Sequence, residues 1–335
     1  MSSARTASRQ PGDAARELRA DLLEAEQPLA RRRLPGAPLP VRLKTSPAVR
    51  RLVPSRLALA VSARRAEHVW RTSPEARERG LLAMQAVVGG TRREEEAPAL
   101  ARLMAIETAV RESMLWQPWP TPVLDEESDA NLRRAAGSGR GVLVSNCDLG
   151  PFNMVISVYR RVDRAPHILA APWMFEPLAP GAWGRRTARW LESGRAAGAR
   201  WVRTTAGAFA TASALLENKA LVLIAFDVPG SRTTRFLGKP VDLASGTARL
   251  AVATNSLVLP VRVRREGTRT HLDYAPALDP RDLSDAEELH DVLAARHEEW
   301  ILEEPEALED PRRPGGWEGQ ADAGGWVRPS RSQAG

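Results

Sequence analysis

The sequence predicts an α/β fold, in which a central largely parallel or mixed sheet carries helices on both faces and follows an N-terminal helical segment. Three observations predict it. Helical patterns without strand signals occupy residues 47–117. From about residue 128, strand-like apolar runs alternate with helical patterns. The run ALVLIAFD at 220–227 is apolar almost throughout, which is typical of a strand buried in a parallel sheet.

The N-terminal helical segment is predicted from amphipathic patterns and caps. The stretch VPSRLALAVSARRAEHVW at 53–70 combines arginines with an apolar face, and we expect this face to pack on the core rather than lie on a membrane. That face consists of Leu57, Val61, Val69 and Trp70. The next helix should begin at Pro74 with Ser73 as its N-cap, because serine accepts orphan amide protons and proline suits the first turn.

The alternating part of the chain is predicted element by element from its apolar periods and its turn residues. The predicted strands lie at 140–145, 165–172, 199–204, 220–227, 257–266 and 269–278. The predicted helices lie at 129–139, 153–161, 181–198, 206–219, 245–256 and 284–305. The last helix is expected to be capped by Ser284 and to lie on the surface, flanked by His290 and His297.

Composition divides the chain into one domain and two tails. Residues 1–46 are rich in Arg, Ala and Pro and are predicted to be a disordered basic segment. Residues 47–310 are predicted to form a single α/β domain that includes the N-terminal helices. Residues 311–335 are rich in Gly and Pro and are predicted to be a flexible tail.

Charge and cysteine content exclude several classes of function. The net charge is +7, carried almost entirely by arginine, so an anionic partner is plausible. The arginines are spread over several helices without an aromatic platform, and we therefore predict no nucleic-acid partner. One cysteine and five scattered histidines predict no disulfide, no metal site and a cytoplasmic setting. No apolar run approaches the ~18–20 residues that span a bilayer, so no transmembrane helix or signal peptide is expected.

Polar residues follow the predicted strands at three corners, which is where open α/β folds gather their working side chains. The first corner has Asn146, Cys147 and Asp148, with Asn153 beyond Gly150 and Pro151. The second corner is Asp227, and the third is Ser245 with Gly246, at a helix start that suits an anion but also ordinary capping. The sequence lacks the glycine-rich dinucleotide fingerprint, the P-loop and the serine-hydrolase elbow, which weighs against those three classes.

The order of these pieces resembles the bacterial lipid A late acyltransferases, within the lysophospholipid acyltransferases, and most of all their phosphatidylinositol mannoside branch. The resemblance runs from about Val53 to about Trp317. Its most specific block is LVLIAFDVPGSRTTRFLGKPVDLASGTARLAVATNSLVLPVRVRRE. The family has there a strand that ends in aspartate, a Pro-Gly pair, an F-x-G-x-P turn, a glycine helix start and a Val-Pro-Val strand. Further upstream, GRGVLVSNCDLGPFN stands where the family keeps its catalytic residues.

The resemblance implies roles for individual residues. The family uses a histidine followed, five positions later, by an acid, and alignment on Gly150 puts Asp148 and Asn153 at these two catalytic positions. Both identities differ from the family's. The residues expected to bind substrate are Asn146, Gly150, Arg195, Asp227, Gly238, Ser245, Gly246 and Arg249, and Arg232, Arg235 and Arg249 are candidates for phosphate groups on charge and placement.

Three interpretations of the altered corner stay open. Asp148 can be the base itself, because burial strengthens a carboxylate as a base. Cys147 can be a nucleophile, although an adjacent carboxylate opposes thiolate formation and a lone cysteine is more often a small buried residue. The corner can also be inactive, leaving a lipid- or acyl-binding accessory protein. His167, one strand later, is a conceivable replacement base but is more often a packed strand histidine.

The expected function is transfer of a fatty acyl group from acyl-CoA or acyl carrier protein to a hydroxyl of a glycolipid or phospholipid-like acceptor. No cofactor is expected beyond the acyl donor, which is a substrate. The other expected partner is the membrane surface, with the protein peripheral on the cytoplasmic, inner face of the cell membrane. The alternatives are the silent accessory protein and an acyltransferase for a specialised metabolite.

Overall fold

The computed structural model describes residues 46–116, 121–162, 164–171, 174, 182–204 and 207–309. Its helices are α1 (Pro47–Leu52), α2 (Ser55–Thr72), α3 (Pro74–Val88), α4 (Ala97–Trp116), α5 (Glu126–Gly137), α6 (Ala182–Ala196), α7 (Ala208–Glu217), α8 (Gly246–Thr254) and α9 (Ala286–Glu303). Its strands are β1 (Val142–Asn146), β2 (Pro166–Ala170), β3 (Arg200–Arg203), β4 (Leu221–Ala225), β5 (Pro229–Phe236), β6 (Lys239–Leu243), β7 (Leu257–Glu266) and β8 (Arg269–Tyr274). Short 3-10 helices cover Glu94–Glu96, Phe152–Val162, Pro280–Asp282 and Pro305–Ala307. The predicted tails at 1–46 and 311–335 lie outside the described residues, apart from residue 46.

The central sheet confirms the predicted fold class. Its strand order is β3-β2-β4-β1-β7-β8, with parallel pairing from β3 through β7 and an antiparallel final pair. β4 lies between two parallel neighbours, as its continuous apolar sequence predicts. In register, Asn146 at the end of β1 lies opposite Ala225 of β4 and Val261 of β7. The carboxyl ends of β1 and β4 therefore coincide, while β7 continues for five residues beyond them.

The two faces of the sheet are covered by different helices, because side chains alternate along β1. Leu143 faces a core layer built with α7, α8 and α9, through residues such as Leu215, Leu250 and Leu293. Val142 and Val144 face the opposite layer. That layer is built with α5, α6 and the 3-10 helix Phe152–Val162, through Leu132, Leu191, Met154 and Ile156. The polar corner that follows β1 is thus held between two packed layers.

The N-terminal helices form where the sequence predicts them, but α2 presents a different face to the core. Ser73 caps α3 as predicted, since its hydroxyl oxygen accepts a hydrogen bond from the Ala76 amide at 3.1 Å. The predicted packing of the apolar face of α2 is wrong for three of its four members. Leu57, Val61 and Val69 are 55%, 56% and 43% exposed, whereas Ala58 and Leu59 are buried and Trp70 packs partly against the core.

Four further predictions need correction. The cap of α9 is Asp285, whose carboxylate accepts the amides of Glu287 and Glu288, and not Ser284. His290 and His297 are buried rather than at the surface. Residues 229–243, read only as a turn-containing stretch, form an antiparallel hairpin from β5 and β6. The predicted helix at 153–161 is a 3-10 helix rather than an α-helix.

Candidate active site at the carboxyl ends of β1 and β4

The polar corner, residues 146–153, meets Asp227 where β1 and β4 end. The Asp148 amide donates to both carboxylate oxygens of Asp227, at 3.3 Å each. The Phe226 amide donates to the Asn146 carbonyl at 2.7 Å, which ties the two strand ends together. The side chains of Asn146, Asp148, Asn153 and Asp227 are all buried. Two of the three predicted corners are therefore one cluster, since parallel neighbouring strands place their carboxyl ends together.

Gly150 fixes the turn of the polar corner. Its φ is +61°, in the left-handed region that glycine adopts without strain. A Cβ at this position would overlap the carbonyl oxygen of Val263 on β7. The Gly150 amide donates to the Ala307 carbonyl at 2.8 Å. A side chain at residue 150 would thus push the corner away from β7, which explains why glycine is needed here.

The polar corner is closed by the covering segment, which we define as residues 305–309. The Glu309 amide donates to the Asp148 carbonyl at 2.8 Å, and Leu149 and Leu308 form an antiparallel bridge. The buried Arg111 of α4 donates to the Ala307 carbonyl at 2.8 Å. The segment is thus bound by main-chain hydrogen bonds on one side and by an α4 guanidinium on the other.

Charge also gathers at this covering segment. Burial raises the pKa of the Glu306 carboxyl, and burial likewise raises the pKa of Glu304 just before the segment. Arg93 donates to the carbonyl oxygens of Leu302 and Glu303 at 2.8 Å each, and so holds the end of α9. The approach to the polar corner from this side therefore carries two half-buried acids, next to main-chain carbonyls that Arg93 holds.

The histidines that could replace the family's base lie elsewhere. His167 is near the start of β2, opposite Val222 and hence level with Leu143, three residues before the end of β1. It is buried, and burial lowers its pKa to about 4. His297 accepts or donates a hydrogen bond with the Ser145 hydroxyl at 3.0 Å, on the core side of β1. The position of His167 in the sheet therefore agrees with the interpretation of His167 as a histidine packed within a strand.

Cys147 is buried, as expected for a lone cysteine that packs as a small residue. Cys147 is 3% exposed and belongs to the apolar layer that contains Leu143 and Phe226. A lone free cysteine commonly packs as a small apolar residue. The geometry therefore favours a packing role for Cys147.

The third corner also reaches this edge of the sheet, but two predicted binding residues do not. The Ala244 amide donates to the Val228 carbonyl at 3.0 Å, so Ser245 and Gly246 lie close to the end of β4. Arg195 lies in the last turn of α6, which leads into the amino end of β3, the edge opposite the polar corner. Gly238 lies at the tip of the β5–β6 hairpin with φ +75°, against the Gly90 carbonyl.

A groove of about 700 Å³ runs between the hairpin, the α3–α4 turn and α9. We call it the hairpin groove. Arg232 and Arg235, two of the candidates for phosphate binding, line it, and Arg92 is a third arginine that sequence reasoning missed. Arg232 pairs with Asp291 and Glu287 at 3.2 Å each. Within the described part of the chain, the side chains of Arg92 and Arg235 make no hydrogen bond or ion pair. Arg249 lies outside the groove and over the ring of Phe209, 5.4 Å from its centre.

Two features of the described residues bear on ligands and membranes. No cluster of three or more His, Cys, Asp or Glu side chains suited to a metal ion occurs among them. None of the helices that the structure describes is both long and apolar enough to cross a membrane.

Comparison with known proteins finds similarity to a family model and to solved structures. Residues 189–308 match the family model described as bacterial lipid A biosynthesis acyltransferase. This range contains Asp227, the hairpin, α8 and α9, and stops within the covering segment, while the polar corner precedes it. Comparison with curated protein sequences gave no significant match.

One solved structure that resembles this chain is the 1-acyl-sn-glycerophosphate (LPA) acyltransferase PlsC from Thermotoga maritima. It is 16% identical, with a TM-score of 0.37, over 74% of this chain and 95% of that chain. A likeness of that size supports no argument about this protein. The phosphatidylinositol mannoside branch stays a prediction, as do the roles of the individual site residues. The family match agrees with the resemblance seen in the sequence: residues 189–308 of this chain are similar to the bacterial lipid A biosynthesis acyltransferases.

Proposed function

We propose that this protein transfers a fatty acyl group from acyl-CoA or acyl carrier protein to a hydroxyl of a glycolipid or phospholipid-like acceptor. The single observation that carries the proposal is the junction of Asp148 and Asp227 at adjoining strand ends in a chain related to lipid acyltransferases. Catalysis at the carboxyl ends of parallel strands is the common arrangement in open α/β sheets.

The reaction needs a base, and the polar corner offers a carboxylate for that role. Asp148 accepts the proton of the acceptor hydroxyl while the hydroxyl oxygen attacks the thioester carbonyl. Collapse of the tetrahedral intermediate breaks the carbon–sulfur bond, and the leaving thiolate takes the proton back from Asp148. Asn153 holds the acceptor or the Asp148 carboxyl by hydrogen bonding, and Asp227 fixes the main chain of Asp148 through its amide.

The hairpin groove suits the phosphate groups of the donor. In this groove, the guanidinium groups of Arg92 and Arg235 are available for bidentate contacts, whereas Arg232 is already paired with Asp291 and Glu287. Both acyl-CoA and the phosphopantetheine of a carrier protein bring phosphate, so the groove is compatible with either donor.

The direct test is acyl transfer from labelled acyl-CoA, or labelled acyl carrier protein, into a total lipid extract. We expect transfer by the wild-type protein and loss of at least 100-fold in Asp148→Asn, because general-base catalysis contributes ~10²–10⁴-fold. Asp282→Asn is the matched control, since Asp282 is an exposed aspartate remote from the polar corner. Transfer that is unchanged in Asp148→Asn would contradict the assignment of Asp148 as base.

A second candidate function is a silent lipid- or acyl-binding accessory protein. The observation that favours it is the covering segment, which bonds to Asp148 and Gly150 and leaves the polar corner buried. The double variant Asp148→His with Asn153→Asp separates the two functions, because it restores the residue types of the family. Transfer that appears only in this variant supports the silent protein, and transfer in the wild type supports the enzyme.

The membrane surface belongs to the same proposal. Leu57 and Val61 stand exposed one turn apart on α2, with the exposed Arg64 and Arg65 beside them. Apolar residues flanked by arginine favour anionic interfaces. Flotation with anionic vesicles at low salt tests the proposal. Absence of vesicle binding would argue against a membrane-held acceptor on the inner face of the cell membrane.

A further inference from the structure

A second depression of about 590 Å³ lies between α2, α4 and the β7–β8 hairpin. We call it the α2–α4 cleft. Its floor is apolar and is formed by Leu59, Ala60, Ala63, Ile106 and Val110. Its volume falls within the ~300–1,000 Å³ that small-molecule sites usually occupy. Thr268 is the one uncharged polar side chain that lines the cleft, so a sugar or a peptide would leave most of its polar groups unpaired there.

The rim of the α2–α4 cleft is cationic. Arg56, Arg265 and Arg269 stand around it, with Glu266 as the one acidic lining residue. Arg265 is engaged, because it pairs with Glu107 and donates to the Gly267 carbonyl at 2.7 Å. The imidazole of His271 lies 3.3 Å from the Glu266 carboxylate.

Two rim arginines remain available. Arg56 and Arg269 are exposed, and neither side chain forms a hydrogen bond or ion pair with any residue that the structure describes. A guanidinium without a protein partner beside an apolar floor is a pairing point for an anionic head group. The chain thus offers an apolar surface and a positive rim in one place.

We propose that the α2–α4 cleft binds a single-chain anionic amphiphile, whose acyl chain lies on the apolar floor and whose phosphate or carboxylate head pairs with Arg56 and Arg269. The occupant is an individual molecule rather than a bilayer. This site is separate from the polar corner, since none of the residues lining the cleft belongs to it. Binding is measured without turnover, so the proposal stands or falls independently of acyl transfer.

The α2–α4 cleft is linked to the polar corner through β7 and through a shared core layer. β7 runs from Val263, whose carbonyl abuts Gly150, to Arg265 at the cleft two residues later. Leu59 and Val110 belong to the same core layer as Val263. An amphiphile in the cleft therefore packs on the layer that also supports the polar corner.

The test is binding of a fluorescent oleoyl lysophosphatidate, kept below its micelle-forming concentration, to the full-length protein. We expect saturable binding that weakens about ten-fold or more in the Arg56→Gln, Arg269→Gln double variant, because charge-assisted hydrogen bonds are lost. Ala63→Leu, which fills the floor, should weaken binding by a similar factor. Monooleoylglycerol, which has the same chain but no charge, should bind about ten-fold less tightly than the lysophosphatidate.

Arg79→Gln is the matched control, because Arg79 is an exposed arginine of α3 that does not line the cleft. It should bind as the wild type does. Equal affinity for the uncharged lipid, or binding unaffected by Ala63→Leu in a protein that circular dichroism shows to be folded, overturns the proposal. Binding to vesicles of the same lipid without binding of the monomer also overturns it.

Discussion

The polar corner after β1 and the histidine pair of α9 place similar chemistry in two different settings. Ser145 and Asp148 stand three residues apart, and the first contacts His297 inside the core while the second contacts Asp227 and the covering segment. His297 and His290 lie on either side of Phe226, at 4.9 and 5.1 Å between ring centres. The corner is closed by main-chain bonds to one segment, whereas the histidines are enclosed by packed rings. The difference teaches that access, more than residue type, decides which polar group can meet a substrate.

Burial also decides the charge of the histidines. The pKa of His297 is lowered to about 3 because burial disfavours the imidazolium, with a smaller contribution from Arg296. Burial likewise lowers the pKa of His290. Both rings are therefore neutral near pH 7 and serve as hydrogen-bonding, stacking groups rather than as proton carriers.

The largest effect should come from breaking the turn of the polar corner. Gly150→Ala adds a side chain at positive φ and against the Val263 carbonyl, so we expect a loss of about 3 kcal/mol in the free energy of unfolding. Urea unfolding measures it. Gly267→Ala is the control, since Gly267 also has positive φ but a Cβ there meets nothing, and it should lose only about 1 kcal/mol. Equal losses in the two variants would show that the contact with β7 is unimportant.

The second largest effect should come from lowering the pH, which should reduce the free energy of unfolding through the buried histidines. An unfolded histidine takes up a proton near pH 6.5, whereas His297 does so only near pH 3, so the unfolded state binds more protons between these values. Stability is thus fully present above about pH 6.5 and is lost as the pH falls towards about 3. Between pH 6.5 and 5 we expect a loss of about 2 kcal/mol from this residue. His297→Gln should flatten the pH dependence in urea unfolding, and exposed His68→Gln should leave it steep.

Removing the serine partner of His297 should have a moderate effect. Ser145→Ala leaves the buried imidazole without its hydroxyl contact at 3.0 Å, and we expect a loss of about 1.5 kcal/mol. Thr234→Val tests the equivalent contact of His290, at 2.9 Å, and should cost a similar amount. Thermal unfolding of both variants checks this. If neither variant loses stability, the rings are held by stacking on Phe226 alone.

The smallest effect concerns the start of the helix that carries both histidines. Asp285→Ala removes the N-cap of α9 and should cost about 1 kcal/mol. Ser284→Ala should change the free energy of unfolding by less than about 0.5 kcal/mol, because the Ser284 hydroxyl makes no cap contact. A larger loss in Ser284→Ala than in Asp285→Ala would restore the capping scheme that the sequence suggested.

The parts of the fold that sequence predicts well have local causes. The apolar run at 220–227 reads as a strand covered on both faces, and Ser73 before Pro74 reads as a helix start, because neighbouring residues suffice for each. The junction of Asp148 with Asp227 was implied in the same way, by strands that end in polar residues. Outside the hairpin at 229–243, the hydrophobic periods of the chain also give the order of helices and strands without any tertiary information.

The parts that sequence missed depend on distant partners. Which side of α2 faces the core is set by α4, so Leu57 and Val61 were assigned to the wrong face. A local signal for the buried histidines existed, because His290, Leu293, Ala294 and His297 follow the i, i+3, i+4, i+7 spacing of one helix face. Because histidine is polar, it does not count as a core residue when a helix face is predicted from apolar spacing. The covering segment had no such signal, since its bonds to Asp148 and Gly150 join distant parts of the chain.

The covering segment has a consequence for how the protein is made. A growing chain leaves the ribosome from its N-terminus, so β1 and Gly150 emerge roughly 160 residues before Glu309. During that interval the Gly150 amide and the Asp148 carbonyl must be satisfied by water. The polar corner therefore reaches its native form only after the covering segment has left the ribosome, and a ribosome stalled before residue 305 holds a nascent chain whose corner is still open.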